Sequence, residues 1–168
     1  MRIVISVLFF LFSLCGYTHA KDSEVDRLLQ FTKGFKVEFD YSIDESATNA
    51  QINESSRFKR VNYKSTEPFT VDQSGKWFMR FSLDIISYKT STEARSALAE
   101  LRERSRQVAA ISKCQDYIVQ RDSVVYWIAA PCNFWDIGQL EKAFNKTMMI
   151  REESVANAIR CRNGGFCR

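Results

Sequence analysis

Residues 114–132 read CQDYIVQRDSVVYWIAAPC, and this stretch decides the fold. Its two halves are rich in Val, Ile, Tyr and Trp. Between them stand the turn-forming residues Arg121, Asp122 and Ser123, so the stretch reads as two strands of a hairpin. Cys114 and Cys132 lie symmetrically about Ser123. Folding the hairpin carries its ends together, as a disulfide requires, and the sequence therefore predicts a Cys114–Cys132 bridge.

Downstream, Cys161 and Cys167 bracket Arg162-Asn163-Gly164-Gly165-Phe166, where Asn-Gly-Gly lets the chain reverse sharply. A second bridge, Cys161–Cys167, is expected there. Between the two cysteine pairs, Asp136 can cap a helix carrying Ile137, Leu140, Phe144 and Met148. Val155 and Ile159 extend the same four-residue rhythm, so this helix is read as continuing, straight or kinked, to the second pair.

Upstream of the hairpin, Thr90 and Glu93 have capping-box spacing. They open a long helix whose apolar stripe runs through Ala94, Ala97, Leu98, Leu101, Val108 and Ala109. Its other face carries Arg95, Arg102, Glu103 and Arg106, read as a solvated surface. Before that helix, Gly75 opens a segment in which Trp77, Met79, Phe81, Leu83 and Ile85 alternate with Phe78, Arg80, Ser82, Asp84 and Ile86. Trp77 is assigned to the core by this phase. Phe58 to Lys64 forms a further strand. Phe35, Val37, Phe39, Tyr41 and Ile43 alternate with charged or polar residues, which is the pattern of a half-buried strand. Val25, Leu28 and Leu29 mark a short helix ending near Gly34. Residues 45–56 are small and polar, and read as a loop.

Strands grouped in hairpins with helices between them imply an α+β fold. The expected architecture is an antiparallel sheet with helices packed mainly on one face, tied by two disulfides.

At the N-terminus, Arg2 precedes the apolar run IVISVLFFLFSL from Ile3 to Leu14, followed by small residues at Thr18 and Ala20. This is the pattern of a secretory leader cleaved after Ala20, and the run is short for a membrane span. The expected organisation is a signal peptide at 1–20 and one α+β domain at 21–168, periplasmic or secreted, with no stable membrane anchor once the leader is cut. Cleavage leaves 148 of the 168 residues and lowers the net charge from +4 to +3, through loss of Arg2. That mild excess does not suggest a nucleic-acid partner.

The only histidine, His19, leaves with the leader. Without it a Ser-His-Asp or Cys-His mechanism cannot operate, and no His-based zinc site can form. The four remaining cysteines contain no C-x-x-C, and neither a metal nor a cofactor is expected. Two N-x-[ST] sequons occur, at Asn53 and Asn145; the second falls on a predicted helix.

Function is read from the side chains that could make contacts. Trp127, Phe134 and Trp135 supply aromatic anchors near the hairpin, and Arg160 and Arg162 flank the small cysteine loop. Together they form the expected binding surface. The reading is an exported, non-enzymatic binding domain, of the inhibitor or immunity-protein type, recognising an envelope or extracellular protein. The alternative is a small hydrolase of envelope or extracellular polysaccharide using paired carboxylates among Asp116, Asp122, Asp136 and Glu141.

Overall fold

A computed structural model of the chain describes residues 26–44, 57–72, 75–107, 115–132, 134 and 137–161. Residues 1–25 and 45–56 are among those outside this set. Six strands form one sheet: β1 (Phe39–Asp44), β2 (Arg57–Ser65), β5 (Arg80–Ser87), β7 (Val124–Ala130), β6 (Gln115–Arg121) and β8 (Ile159–Cys161), in that spatial order. Every neighbouring pair is antiparallel. Two further strands, β3 (Thr70–Asp72) and β4 (Gly75–Trp77), make a separate ribbon. The helices are α1 (Ser91–Gln107), α2 (Ile137–Met148) and α3 (Glu152–Ala156), after an N-terminal helical segment at 26–30. The fold is α+β, as the sequence predicts.

Helices cover both faces of the sheet, which corrects the expectation of a single covered face. On one face, α2 and the 26–34 segment bury Leu28, Phe31, Ile137, Leu140, Phe144 and Met148 against Tyr63, Phe81, Leu83, Val119, Tyr126 and Ile128. On the other, Ala94 and Leu98 of α1 pack on Ile86, Ile118, Val125 and Ile159. The reason lies in the central strands. In β7, Val124, Tyr126, Ile128 and Ala130 alternate with Val125, Trp127 and Ala129, so neither side of the strand is polar. A strand without a polar side needs cover on both, and α1 provides the second.

The α1 start follows its capping signal. The Glu93 N–H donates to Thr90 Oγ1 at 3.1 Å, and Glu93 Oε2 accepts from the Lys89 N–H at 3.1 Å.

The helical rhythm read from Ile137 to Ile159, straight or kinked, is interrupted. Met149 adopts φ +50°. The Ile150 N–H donates to the Asn145 carbonyl at 2.9 Å and the Met149 N–H to Lys146 at 3.3 Å. These are the two bonds of a left-handed helix stop, built here without the usual glycine. The chain then turns through α3 and adds β8 beside β6.

The expected Cys114–Cys132 bridge is also corrected, because Cys132 is exposed and its thiol is free. A buried amide closes the hairpin end instead. Gln115 Nε2 donates to the carbonyl of Phe134 at 2.9 Å and of Cys132 at 3.2 Å, and reaches that of Pro131 at 3.5 Å. The carbonyls of Pro131, Cys132 and Phe134 after β7 therefore converge on Gln115, and Cys132 itself is exposed. Cys161 is buried in the cluster beneath α1. Cys114 and Cys167, and with them the rest of the expected pairing, lie outside the described residues.

Two buried phenols tie helical elements to the sheet. Tyr63 donates to the Leu28 carbonyl at 3.1 Å, and Tyr117 to Asn145 Oδ1 at 2.8 Å. The second bond employs the side chain of the Asn145 sequon. Burial raises both phenol pKa values, that of Tyr117 to about 12. In the unfolded chain a phenol ionises near about 10. Each raised pKa thus contributes stability that is complete below pH 10 and is lost as pH climbs through the folded value. Alkaline titration followed by tyrosinate absorbance and circular dichroism should show these two phenols ionising together with unfolding, between about pH 10 and 12. Ionisation of all tyrosines with a common midpoint near about pH 10 in a still-folded protein would contradict this placement.

Candidate functional site

The β2–β5 pairing runs in register to Lys64 and Arg80 and is then pinched off. The Ser65 N–H donates to the Met79 carbonyl at 2.9 Å, and Ser65 Oγ accepts from the Met79 N–H at 3.1 Å. Ser65 Oγ also donates to the Glu67 carbonyl at 2.6 Å. Beyond this neck the chain makes an excursion, the β3–β4 ribbon, closed by a Phe69 N–H bond to the Trp77 carbonyl at 2.7 Å. Gly75 has φ +134°, a conformation open to glycine and strained for other residues.

The excursion removes Trp77 from the core to which its strand phase assigned it. Strand β5 begins only at Arg80, so the alternation holds for Met79, Phe81 and Leu83, which are buried, and fails before them. Trp77 is 56% exposed, Phe69 57% and Tyr41, on edge strand β1, 49%.

A groove of about 1050 Å³ lies between the ribbon, β1 and the near ends of β2 and β5. Its aromatic walls are Tyr41, Phe69, Trp77 and Phe78, and Lys64, Lys76 and Arg80 stand among them, with Asp40 as the single carboxylate of the lining among the described residues. The Lys64 ammonium sits 4.2 Å from the Phe78 ring centroid, a cation–π contact that fixes the ring's orientation. Flat rings held on a short ribbon lose little conformational entropy on contact, and the three cations give the groove a positive potential.

The residues first expected to form a binding surface are distributed differently. Trp127 lies half-buried on the α1 side of the sheet, its Nε1 donating to Asp116 Oδ1 at 2.9 Å. Phe134 is buried on the opposite side, edge-on to Phe81 at 5.8 Å, and borders the groove from beneath. Arg160 Nε donates to Glu141 Oε1 at 2.7 Å, and Nη2 donates to the same carboxylate oxygen and to the Val155 carbonyl. Its guanidinium also lies 5.3 Å from the Tyr117 ring centroid. The hydrogen bond to Glu141 raises the Arg160 pKa and ties β8 to α2. Trp135 and Arg162 lie outside the described residues. The three placed members therefore do not share a surface.

The carboxylates of the alternative reading do not converge. Asp116 faces α1, whereas Glu141 is engaged by Arg160 on the other side. Asp122 is at the far end of β6 from Asp116, about 20 Å along the strand at the rise of extended backbone. Asp136 lies outside the described residues.

Sequence reasoning missed Tyr41, Phe69 and Trp77 as surface groups. A usable signal was present in the sequence: Asp72-Gln73-Ser74-Gly75 has turn composition, between Thr70-Val71 and Lys76-Trp77, the pattern of a short hairpin. Comparison of the chain with protein-family models, with curated proteins and with solved structures finds no match.

Proposed function

We propose that this chain is an exported binding domain that captures a protein partner in the groove beside the β3–β4 ribbon. The observation that carries the reading is the pair of rings, Phe69 and Trp77, both more than half exposed at a ribbon separate from the six-stranded sheet. Exposed aromatic residues grouped with cations around a concavity are the composition of binding hot spots. The partner segment that fits is apolar or aromatic and carries acidic residues, complementing Lys64, Lys76 and Arg80. Export is supported by the leader pattern at residues 1–20.

Affinity capture from envelope and secreted fractions of the host, with unfolded protein as control, tests the reading. The double variant Phe69→Ala/Trp77→Ala is expected to weaken capture by roughly 30-fold or more, about 2 kcal/mol or beyond, while the folded state remains. A folded double variant that captures the partner as well as the parent would exclude the groove.

A further inference from the structure

At the opposite end of the β6–β7 hairpin from the groove, a second cleft of about 630 Å³ opens between α1, the hairpin turn and α3. Four arginines from three parts of the chain line it: Arg95 and Arg102 of α1, Arg121 at the end of β6, and Arg151 ahead of α3. Two carboxylates, Asp122 and Glu153, also line it, so the lining is positive by two charges. Arg121 Nε stands 3.7 Å from Asp122 Oδ2, a loose, solvent-exposed pair. Among the described residues no carboxylate pairs with Arg95 or Arg151. Arg102 donates through Nη2 to the carbonyl of Asn157, the C-cap of α3, and this contact docks α1 on α3 and sets the width of the cleft.

A solvated helix face would account for Arg95 and Arg102 alone, since positions seven apart share a side of a helix. It does not account for their meeting Arg121 and Arg151, which come from a strand end and from the segment before α3. The cations are all arginines, with no lysine among the lining residues. The planar guanidinium fork matches the oxygens of phosphate or sulfate in pairs, which an ammonium cannot do. The backbone of the rim is unusual as well. Asp122 at φ +54° and Met149 at φ +50° are the non-glycine residues with positive φ among the described residues, and both line this cleft. Both belong to turns, the β6–β7 hairpin and the stop of α2, and these turns fix where the rim lies.

We propose that this cleft is a binding site for a phosphate or sulfate group, carried by a ligand of small-molecule or monosaccharide size. The volume lies within the usual range of small-ligand pockets, roughly 300–1000 Å³. The dianion bridges the two arms, accepting from Arg95 on α1 and from Arg151 beside α3, and offsets their mutual repulsion. The site is separate from the aromatic groove, and neither reading depends on the other.

Calorimetric titration of the folded protein with inorganic phosphate, inorganic sulfate and glucose 6-phosphate tests the proposal. Saturable binding of at least one probe is expected. The exposed double variant Arg95→Gln/Arg151→Gln should lose roughly tenfold or more in affinity for each arginine removed, with unchanged melting. The control Lys64→Gln/Lys76→Gln removes the same charge from the other groove and should lose less than about twofold, as screened surface charges do. Tighter binding of the ester than of the free ions assigns the ligand to a phosphorylated or sulfated molecule, and equal binding assigns it to the ion itself. No saturable binding of any probe at millimolar concentration, or equal losses in the two variants, would overturn the site.

Discussion

Replacing Arg60 with methionine is expected to destabilise the fold by about 3 kcal/mol, more than the partner substitution Asp84→Asn. The two residues are cross-strand neighbours on β2 and β5. Arg60 Nε donates to Asp84 Oδ1 at 2.6 Å and Nη2 to Oδ2 at 2.7 Å, a bidentate pair. Their environments differ sharply, since the Arg60 side chain is 36% exposed and that of Asp84 only 3%. A guanidinium left without its carboxylate can turn to water. A buried carboxylate left without its guanidinium has no such recourse, and the charge stays unpaired in a region of low polarity. The estimate sits at the low end of the range for broken buried pairs because water reaches one partner. Urea unfolding of both variants at neutral pH checks the order. A larger loss for Asp84→Asn would show that the pair is not set up in this way.

Phe144→Ala is expected to cost about 4 kcal/mol, the loss of a large buried ring together with the cavity it leaves. Phe144 is fully buried on α2, edge-on to Phe31 at 5.4 Å and to Tyr126 at 5.2 Å. One ring thus joins α2, the N-terminal segment and the centre of the sheet. Phe144→Leu keeps most of the volume and should cost about 1.5 kcal/mol or less. Denaturant midpoints at constant slope separate the two cases. An alanine variant as stable as the leucine variant would mean that the three elements do not close on this ring.

Local signals carried much of the fold. The turn at Asp122, the apolar series Ile137, Leu140, Phe144 and Met148, and the Thr90–Glu93 cap each express a rule acting within a few residues. The covered faces were harder to read, because β7 is apolar on both sides and only the position of α1 reveals why. The stop at Met149 was unreadable for a different cause. Its left-handed turn uses neither glycine nor proline, so the helical rhythm runs through it unmarked. Trp77 was misplaced because alternation continued past Met79 in sequence although the pairing partner of the strand had ended at the Ser65 neck. The sites were the least legible part. Arg121 and Arg151 stand thirty positions apart, and what joins them to Arg95 and Arg102 is the return of the chain through α3 to β8. No spacing rule along the sequence contains that return.

The amide of Gln115 also bears on the order of events as the chain matures. A β-hairpin closes in about 1–10 µs, whereas disulfide formation takes seconds to hours and waits on an oxidant. Because the hairpin end is held by hydrogen bonds to three carbonyls, the β6–β7 pairing does not wait for thiol chemistry. The central strands can seat α2 and α1 without a bridge at Cys132, whose thiol is free.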